Sequence, residues 1–466
     1  MELCEFERHI NGGGRCHLVG IGGVSMSPLA EILFGKGINV TGSDMNDSMT
    51  IGWLRSIGIN VIVGHSVENV LGAGYIIRTA AAREDNIEIM AAREQGIPVF
   101  ERAQAWGYIM SKYKHAVCIS GVHGKTTTTS MLTHILLAAN KDPTIMLGGK
   151  LPVLGSGYRV GNGDIIVLES CEYYNSFHCF CPTIAIVLNV DEDHLDFFRD
   201  ISDLKDSFRK FASQVPVGGY IVCNGDDDNT MEALTPLGRE LVTFGLSDSA
   251  RVRGLSVQHM GRTPSMDVNY DGSPFCRVTL QVPGLHNLKN ALAAVASAIT
   301  LGIPATFIEE GLYNYTGVGR RFEFKGKFNG ADVYDDYAHH PSELHATLDA
   351  ISSLEYNRII LAFQPHTFSR TNALFSDFVT VLSRPDVTFL AQIYAAREKN
   401  DIGITSEVLA NAVPGARCCA TLPELAEEIA LIAREGDIVL TAGAGDIYQV
   451  AEALIAMQNA ECRIHK

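Results

Sequence analysis

The sequence predicts an α/β protein of three domains, each an open, mostly parallel sheet with crossover helices. Short apolar runs alternate along the chain with stretches of helical periodicity, which is the pattern of parallel strands joined by helices. The 466 residues, 46% of them apolar, are enough for two to four compact cores, and the 44 glycines suit many strand-to-helix turns. Polar residues 111–114 and the glycines of residues 316–319 mark the boundaries. The expected domains are 1–112, 113–317 and 318–466.

The first domain opens with a β-like run, residues 16–19, followed by a glycine turn and a helical run. A second β-like run, residues 38–41, is followed closely by Asp44. This order is close to the fingerprint of a Rossmann-like dinucleotide-binding domain, although Ser25 stands at the third glycine position. The turn can receive a diphosphate, and Asp44 can contact a ribose. A nicotinamide cofactor, a nucleotide-sugar diphosphate and a purely structural turn all fit the pattern.

The second domain begins with a strand-like run that enters Gly121-Val122-His123-Gly124-Lys125-Thr126 and then a helix. A standard P-loop has four residues between its first glycine and the Gly-Lys pair, whereas this loop has two. The shorter loop can still bind phosphate, because the turn amides point inward, Lys125 adds a positive charge and the helix adds the positive end of its dipole. The sequence therefore predicts a P-loop-type domain that binds phosphate.

Two further strand-like runs of the second domain are followed by polar residues, among them Glu169 and His194. Since the carboxyl ends of parallel strands share one edge of a sheet, both side chains are expected near Lys125. With the Thr126 hydroxyl they make a reasonable site for a divalent cation such as Mg²⁺. The acidic residues 191–193 are expected to form a solvated loop.

Asn287 and Asn290 lie at the start of a helix rich in small residues. Asn287 is a natural N-cap, which is a structural role. Asn290 follows one helical turn later, and its amide can pair with the edge of a purine.

The third domain supplies positive charge and a cluster of polar residues. Arg320 and Arg321 follow its boundary, and Arg370 lies further along. Two adjacent histidines, residues 339–340, come shortly after two aspartates, but they lack the i, i+4 spacing of helical zinc sites. Arginine contacts to phosphate or carboxylate, with aspartate and histidine near an amine, fit the pattern better.

Composition argues against several classes of protein. The net charge of −16 disfavours a nucleic-acid or membrane surface, so local groups must attract any anionic ligand. Because neither a membrane-spanning run nor a signal-peptide pattern is recognisable, we expect a cytoplasmic protein without nucleic-acid or membrane partners. The 11 cysteines lack zinc-ribbon or disulfide spacing, so reduced thiols are expected.

Together and in this order, the motifs resemble those of the Mur ligases of peptidoglycan synthesis. Residues 121–128 are similar to the family's ATP loop, residues 189–196 to its Asp-His-Leu-Asp stretch and residues 286–290 to its His-Asn-x-x-Asn stretch. Four further stretches resemble the member that joins L-alanine to UDP-N-acetylmuramate: residues 20–27, 335–341, 364–371 and 441–446. The resemblance extends over nearly the whole chain.

The resemblance implies domains that bind, in order, the UDP-sugar, ATP and the amino acid. It also implies that ATP phosphorylates the lactyl carboxylate to an acyl phosphate, which the alanine amine attacks, so that ADP and phosphate are released. The implied cofactors are ATP and Mg²⁺, the substrates are small molecules, and the protein is a monomer or homodimer.

The resemblance also assigns residues to each ligand. The ATP-binding set is Gly121, Val122, His123, Gly124, Lys125, Thr126, Thr127, Asn287, Asn290 and Arg321. The UDP-sugar set is Gly20, Gly22, Gly23, Ser25 and Asp44. The amino-acid set is Asp335, Tyr337, His339 and Arg370, and the metal set is Thr126, Glu169 and His194. The residues expected to be catalytic are Lys125, His194, Arg321, His339 and Arg370. The choice between Arg320 and Arg321 stays open.

The sequence departs from many relatives at several positions. Cys171 and the pair Tyr173-Tyr174 stand in a stretch that is acid-rich in many relatives, and Thr367 replaces an arginine. Lys205 lies roughly where many Mur ligases carry a carbamylated lysine, but the sequence does not assign it that role.

The sequence leaves three alternative functions open. A murein-recycling ligase would attach a preformed tripeptide to the same sugar nucleotide and would need a more open pocket in the third domain. A dehydrogenase would leave Lys125 and the threonines after it unexplained. A non-catalytic binding protein would predict damaged metal or lysine positions, whereas Lys125, Glu169 and His194 are all present.

Overall fold

A computed structural model describes residues 2–193, 197–396 and 398–464. In this part of the chain, the strands form three sheets that follow one another along the sequence, with helices between most parallel strands. The α/β fold class is therefore confirmed. We call the segments that carry the three sheets the first, second and third domains.

The first domain contains α1 (Glu2–Asn11), β1 (Arg15–Val19), α2 (Ser27–Gly35), β2 (Val40–Asp44), α3 (Met49–Ser56), β3 (Asn60–Val63), β4 (Ala73–Arg78), α4 (Ile87–Glu94), β5 (Val99–Glu101) and α5 (Arg102–Met110). Its strands are parallel, in the order β3-β2-β1-β4-β5. The strand order reverses at β1, so the glycine turn after this strand lies where open α/β sheets bind ligands.

The second domain contains β6 (His115–Ser120), α6 (Lys125–Ala138), β7 (Thr144–Leu151), β8 (Ser156–Arg159), β9 (Ile165–Glu169), β10 (Ile184–Val187), α7 (Ile201–Ser213), β11 (Tyr220–Asn224), α8 (Asp228–Leu234), β12 (Leu241–Gly245), β13 (Val252–Gln258), β14 (Ser265–Tyr270), β15 (Ser273–Thr279), α9 (Leu285–Thr300) and α10 (Ala305–Tyr313). Strands β10 and β9 flank β6 in parallel. Residues 121–126, which follow β6 and are called the phosphate loop below, therefore lie at the same sheet edge as the carboxyl ends of β9 and β10.

The outer parts of the second sheet are antiparallel. Strands β13, β14 and β15 form a meander at one side, and β8 pairs with β7 at the other. The order is β15-β14-β13-β12-β11-β10-β6-β9-β7-β8. The inner strands are buried along nearly their whole length, since helices cover both faces of the parallel part. This explains why they appear in the sequence as continuous apolar runs.

The third domain contains β16 (Glu323–Phe328), β17 (Ala331–Asp336), α11 (Pro341–Ser352), β18 (Arg358–Phe363), α12 (Phe368–Ala373), α13 (Phe375–Leu382), β19 (Val387–Leu390), α14 (Ser406–Ala412), β20 (Arg417–Cys418), α15 (Leu422–Ile432), β21 (Asp437–Ala442) and α16 (Tyr448–Ile464). The order is β16-β17-β21-β18-β19-β20, and only the β16–β17 pair among these described strands is antiparallel. The carboxyl end of β17 leads through residues 337–340 into α11, whose Ser342 and Glu343 contact His123 of the phosphate loop.

Among the described residues, no helix has both the length and the apolar character needed to cross a membrane. The described cysteines are free thiols, several of them buried in the strands of the first two sheets.

Candidate active site

The phosphate loop joins β6 to α6 in a conformation that needs its glycines. Gly121 and Gly124 have φ angles of +135° and +83°. A Cβ atom on Gly124 would lie 2.4 Å from Oδ1 of Asn290, so a side chain there would displace that amide. Asn189 fixes the loop, because its Oδ1 accepts from the His123 amide at 2.8 Å and its Nδ2 donates to the His123 carbonyl at 3.0 Å.

Lys125, at the first position of α6, folds back over its own loop. Its Nζ donates to the Gly121 carbonyl, to the Val122 carbonyl at 3.1 Å and to the Glu172 carboxylate at 3.2 Å. Glu172 is only 1% exposed. Burial favours the neutral amine, but the Glu172 carboxylate outweighs it and raises the pKa of Lys125. The ammonium is therefore charged at neutral pH and lies where the loop can receive a phosphate.

The structure brings two of the three expected metal ligands together. Glu169, at the end of β9, accepts from the Gly148 amide at 2.8 Å. A Cβ atom on Gly148 would lie 3.1 Å from Oε2 of Glu169 and 3.6 Å from Oγ1 of Thr126, so both oxygens are on the same side of that strand. Burial raises the pKa of Glu169, and a bound cation would counter this effect. Carboxylate and hydroxyl oxygens are ligands that suit Mg²⁺. The third expected ligand, His194, lies outside the described residues.

A cavity with a volume of about 240 Å³ lies beside the phosphate loop, between the second and third domains. The second domain contributes His123, Gly124, Thr127, Asn287 and Asn290 of the expected ATP set, together with the apolar side chains of Leu188, Phe244 and Tyr315. The third domain contributes Arg321, Phe322, Asp336, Ser342 and Glu343, among others. The cavity thus joins polar groups near the loop to an apolar wall, which is the usual character of a nucleotide pocket.

The two adjacent arginines have different surroundings. Arg321 lines the cavity. Arg320 instead donates to the buried carboxylate of Asp335 at 3.1 Å and to the carbonyls of Gly443 and Gly445 at 2.8 and 3.1 Å. Asp335 also accepts from Thr441 at 2.7 Å. These contacts tie Arg320 and Asp335 into the third domain, so Arg321 is the better placed of the two arginines to reach the phosphates.

The remaining residues expected near the amino acid cluster beyond β17. The ring of His339 lies 5.4 Å from the ring of Tyr337 and 5.8 Å from that of His366. Nη1 of Arg370 is 3.2 Å from Nδ1 of His366. Burial lowers the pKa of His339 to about 4, so its imidazole is neutral at physiological pH.

The expectation of a solvated acidic loop at residues 191–193 is wrong for Asp193. This side chain is 9% exposed and accepts from Arg370 Nη2 at 2.8 Å and Nε at 3.1 Å, across the boundary between the second and third domains. Asp191 also has a partner, since its Oδ2 lies 3.4 Å from Nε2 of His123. Asp191 and Asp193 thus pair with cationic side chains from two different elements, His123 of the phosphate loop and Arg370 of α12. The local sequence does not reveal this role.

His123, Asp191 and His340 place their ligand atoms within 4.8 Å of one another, a spacing compatible with a metal ion. The hydroxyl oxygen of Ser342 lies among them, 3.0 Å from Nε2 of His123, 2.6 Å from Nδ1 of His340 and 3.4 Å from Oδ2 of Asp191. Hydrogen bonds to the Ser342 hydroxyl therefore account for the close spacing of these three side chains.

The residues expected to bind the UDP-sugar form a separate group at the carboxyl edge of the first sheet. The Gly22 amide donates to Oδ2 of Asp44 at 2.9 Å, and Gly20 and Gly23 belong to the same turn. Ser25 accepts from the indole nitrogen of Trp106 at 3.1 Å, through both its carbonyl and its hydroxyl oxygen. The acid at the end of β2 thus holds the glycine turn after β1, a contact that the sequence pattern did not predict.

Sequence models of one family match most of the chain. The model described as the Mur ligase family catalytic domain matches residues 15–114, the Mur ligase middle domain matches residues 119–298, and the Mur ligase glutamate ligase domain matches residues 320–445. The chain belongs to the Mur ligase family. The three matched ranges follow the three sheets of this Mur ligase.

Individual relatives agree with this assignment. The Mur ligase is 41% identical over 445 residues to a UDP-N-acetylmuramate–L-alanine ligase from Clostridium novyi, a match that covers 95% of this chain and 97% of the relative. The crystal structure of a UDP-N-acetylmuramate–alanine ligase from Thermotoga maritima is similar with a TM-score of 0.79 and 29% identity, over 96% of this chain and all of the other. A murein peptide ligase from Psychrobacter arcticus shares the fold, with a TM-score of 0.69 and 21% identity over 95% and 98% of the two chains.

The structure of the Mur ligase adds residues that the motifs did not indicate. Asn189 clamps the phosphate loop, Glu172 pairs with Lys125, and Asp336 lines the cavity beside Arg321. Glu343 reaches the loop from the third domain. Asn189, Asp336 and Glu343 lie within or next to a recognised motif, but only the tertiary contacts distinguish them from their neighbours.

Proposed function

We propose that this Mur ligase joins L-alanine to the lactyl carboxylate of UDP-N-acetylmuramate, converting ATP to ADP and phosphate, in cytoplasmic peptidoglycan precursor synthesis. The observation that carries the proposal is the cavity beside the phosphate loop, where the nucleotide-binding elements of the second domain face Arg321 and Asp336 of the third. The relative from Clostridium novyi supports the choice of substrates. In this proposal, residues 1–112 bind the UDP-sugar, residues 113–317 bind ATP and residues 318–466 bind the amino acid.

The need for phosphorylation follows from the chemistry of the acceptor. A carboxylate is a poor electrophile, and phosphorylation supplies it with a good leaving group. Moving a phosphoryl group onto an anion requires neutralisation of charge, which Lys125, the N-terminus of α6 and Arg321 provide. Thr126 and Glu169, with His194, would hold Mg²⁺, which when bound supplies further positive charge to the phosphates.

His339 is suited to take a proton when the alanine amine adds to the acyl phosphate. Its Nδ1 is 2.9 Å from the Tyr337 carbonyl and donates to it, which leaves the lone pair of Nε2 to accept the proton. Burial lowers the pKa of His339 to about 4, so the imidazole is neutral at physiological pH. Arg370 places a further positive charge beside this cluster and fixes the third domain against Asp193.

Phosphate release tests the proposal. The assay contains ATP, Mg²⁺ and UDP-N-acetylmuramate, and L-alanine, L-serine, glycine or the peptidoglycan tripeptide is added in turn. We expect release to depend on an added acceptor and to be fastest with L-alanine. Release only with the tripeptide would replace the proposed acceptor by that of murein recycling, and no release with any acceptor would contradict the ligase reaction.

A further inference from the structure

Glu343 makes two kinds of contact through its two carboxylate oxygens. Its side chain is 12% exposed, and Oε2 accepts from the backbone amides of His339 at 3.1 Å and His340 at 3.4 Å, which caps α11. Oε1 lies 3.2 Å from Nδ1 of His123 in the phosphate loop and 3.8 Å from Nη1 of Arg321. A helix cap needs only the first oxygen, so the second set of contacts calls for another explanation.

His123 is held between carboxylates of two domains. Its Nδ1 faces Glu343, and its Nε2 faces Asp191 of its own domain at 3.4 Å and the Ser342 hydroxyl at 3.0 Å. The ring of His340 lies 5.0 Å away. Each imidazole nitrogen therefore has an anionic partner, which fixes the ring and favours the doubly protonated form.

The charges agree with this geometry. Burial lowers the pKa of His123, but Asp191 and Glu343 outweigh it and raise that pKa to about 9. Glu343 is itself buried, and yet His339, His123 and Arg321 hold its pKa well below the ordinary value. At neutral pH the loop thus presents two cations, Lys125 and His123, and the second depends partly on a carboxylate from the third domain.

We infer that Glu343 is a positioning residue, which holds the His123 imidazolium in the phosphate loop from the third domain and so completes the loop only when the two domains are docked. This inference rests on the proposed function, since it assigns a residue to the ATP step of that reaction. It links the loop, which grips phosphate, to the domain expected to bring the amino acid.

Glu343→Gln is the variant that separates positioning from capping, because the glutamine carbonyl can still cap α11 while the amide cannot hold an imidazolium. We expect kcat for alanine-dependent phosphate release to fall about 100-fold, as for a misplaced reacting group. Glu427→Gln, an exposed glutamate on α15, is the matched control and should leave kcat unchanged.

The pH profile gives a readout that capping alone would not move. In the wild type, the His123 charge is present below its pKa of about 9 and is lost above it, so activity should decline on the alkaline side of that value. In Glu343→Gln this alkaline limb should move down by about one pH unit, since one of two carboxylate partners is gone. An alkaline limb at the same pH as in the wild type would overturn the inference.

A double-mutant cycle with His123→Gln tests whether Glu343 acts through His123. We expect Glu343→Gln to cost less than about twofold in the His123→Gln background. An equal loss in both backgrounds would mean that Glu343 acts elsewhere and would overturn the inference.

The titration of His123 followed by NMR of the imidazole, without substrates, separates this inference from the proposed function. If the His123 pKa falls in Glu343→Gln but the wild type fails to release phosphate with alanine, the contact between the domains stands and the proposed reaction fails. If the wild type is active but the His123 titration is the same in both proteins, the reaction stands and the positioning role fails.

Discussion

Replacing Lys125 with alanine is expected to lower kcat for alanine-dependent phosphate release by about 10²–10³-fold or more. The ammonium is the charged side chain that the phosphate loop itself holds at the start of α6, anchored by the Gly121 and Val122 carbonyls. Phosphoryl transfer to a carboxylate develops negative charge, which this ammonium helps to neutralise. The measurement is steady-state phosphate release at saturating ATP and alanine.

The same substitution removes a cationic partner of a buried carboxylate. Glu172 is 1% exposed and lies 3.2 Å from Lys125, so the variant should also lose stability. Thermal unfolding of Lys125→Ala, and of Lys125→Ala combined with Glu172→Gln, separates this loss from the loss of rate. The double variant should recover stability but not activity. Lys141→Ala, at an exposed position beyond α6, is the control. Recovery of activity in the double variant would show that Lys125 acts only by balancing Glu172.

Arg321 and Arg320 are expected to give opposite results. Arg321→Ala should lower kcat by about 10²–10³-fold with little change in the unfolding midpoint, because this guanidinium lines the nucleotide cavity. Arg320→Ala should lower the free energy of unfolding by about 3 kcal/mol, since it leaves the Asp335 carboxylate, 1% exposed, without its guanidinium. Kinetic assays and chemical denaturation of the two variants measure both effects.

Arg417→Ala serves as the control for both arginines, because Arg417 forms an exposed ion pair with Glu428 at the far side of the third sheet. It should change neither kcat nor the free energy of unfolding by a measurable amount. A loss of kcat in Arg320→Ala with unchanged stability, together with an active Arg321→Ala, would reverse the assignment of the two side chains.

Much of the phosphate site could be predicted because it depends on local order along the chain. A buried strand, a glycine turn and a helix beginning at Lys125 fix the loop within a dozen residues. The shared edge of parallel strands then places Glu169 near Thr126, without any knowledge of the rest of the fold. For Asp44 the same pattern predicts a contact with a ribose, whereas the structure shows its carboxylate accepting from the Gly22 amide at 2.9 Å.

The contacts between domains could not be predicted in this way. Asp193 pairs with Arg370, which is 177 residues away in the sequence, and Glu343 pairs with His123, which is 220 residues away. An isolated acidic run is usually solvated, so nothing in the local pattern indicates that Asp193 is buried. The distinction between Asp335 and Asp336 depends on the alternation of side chains along β17. Asp335 turns to Arg320 and Asp336 to the cavity, and their sequence motif does not distinguish the two residues.

The most direct test of the account is the fate of a carboxylate oxygen. UDP-N-acetylmuramate labelled with ¹⁸O in its lactyl carboxylate is incubated with ATP, Mg²⁺, L-alanine and the wild-type protein, and the released phosphate is analysed by mass spectrometry. If the carboxylate attacks the γ-phosphorus to form an acyl phosphate, one ¹⁸O is transferred to phosphate for each amide bond formed. Phosphate without ¹⁸O, or ¹⁸O in AMP, would contradict the acyl-phosphate reaction and the role given to Lys125 and Arg321.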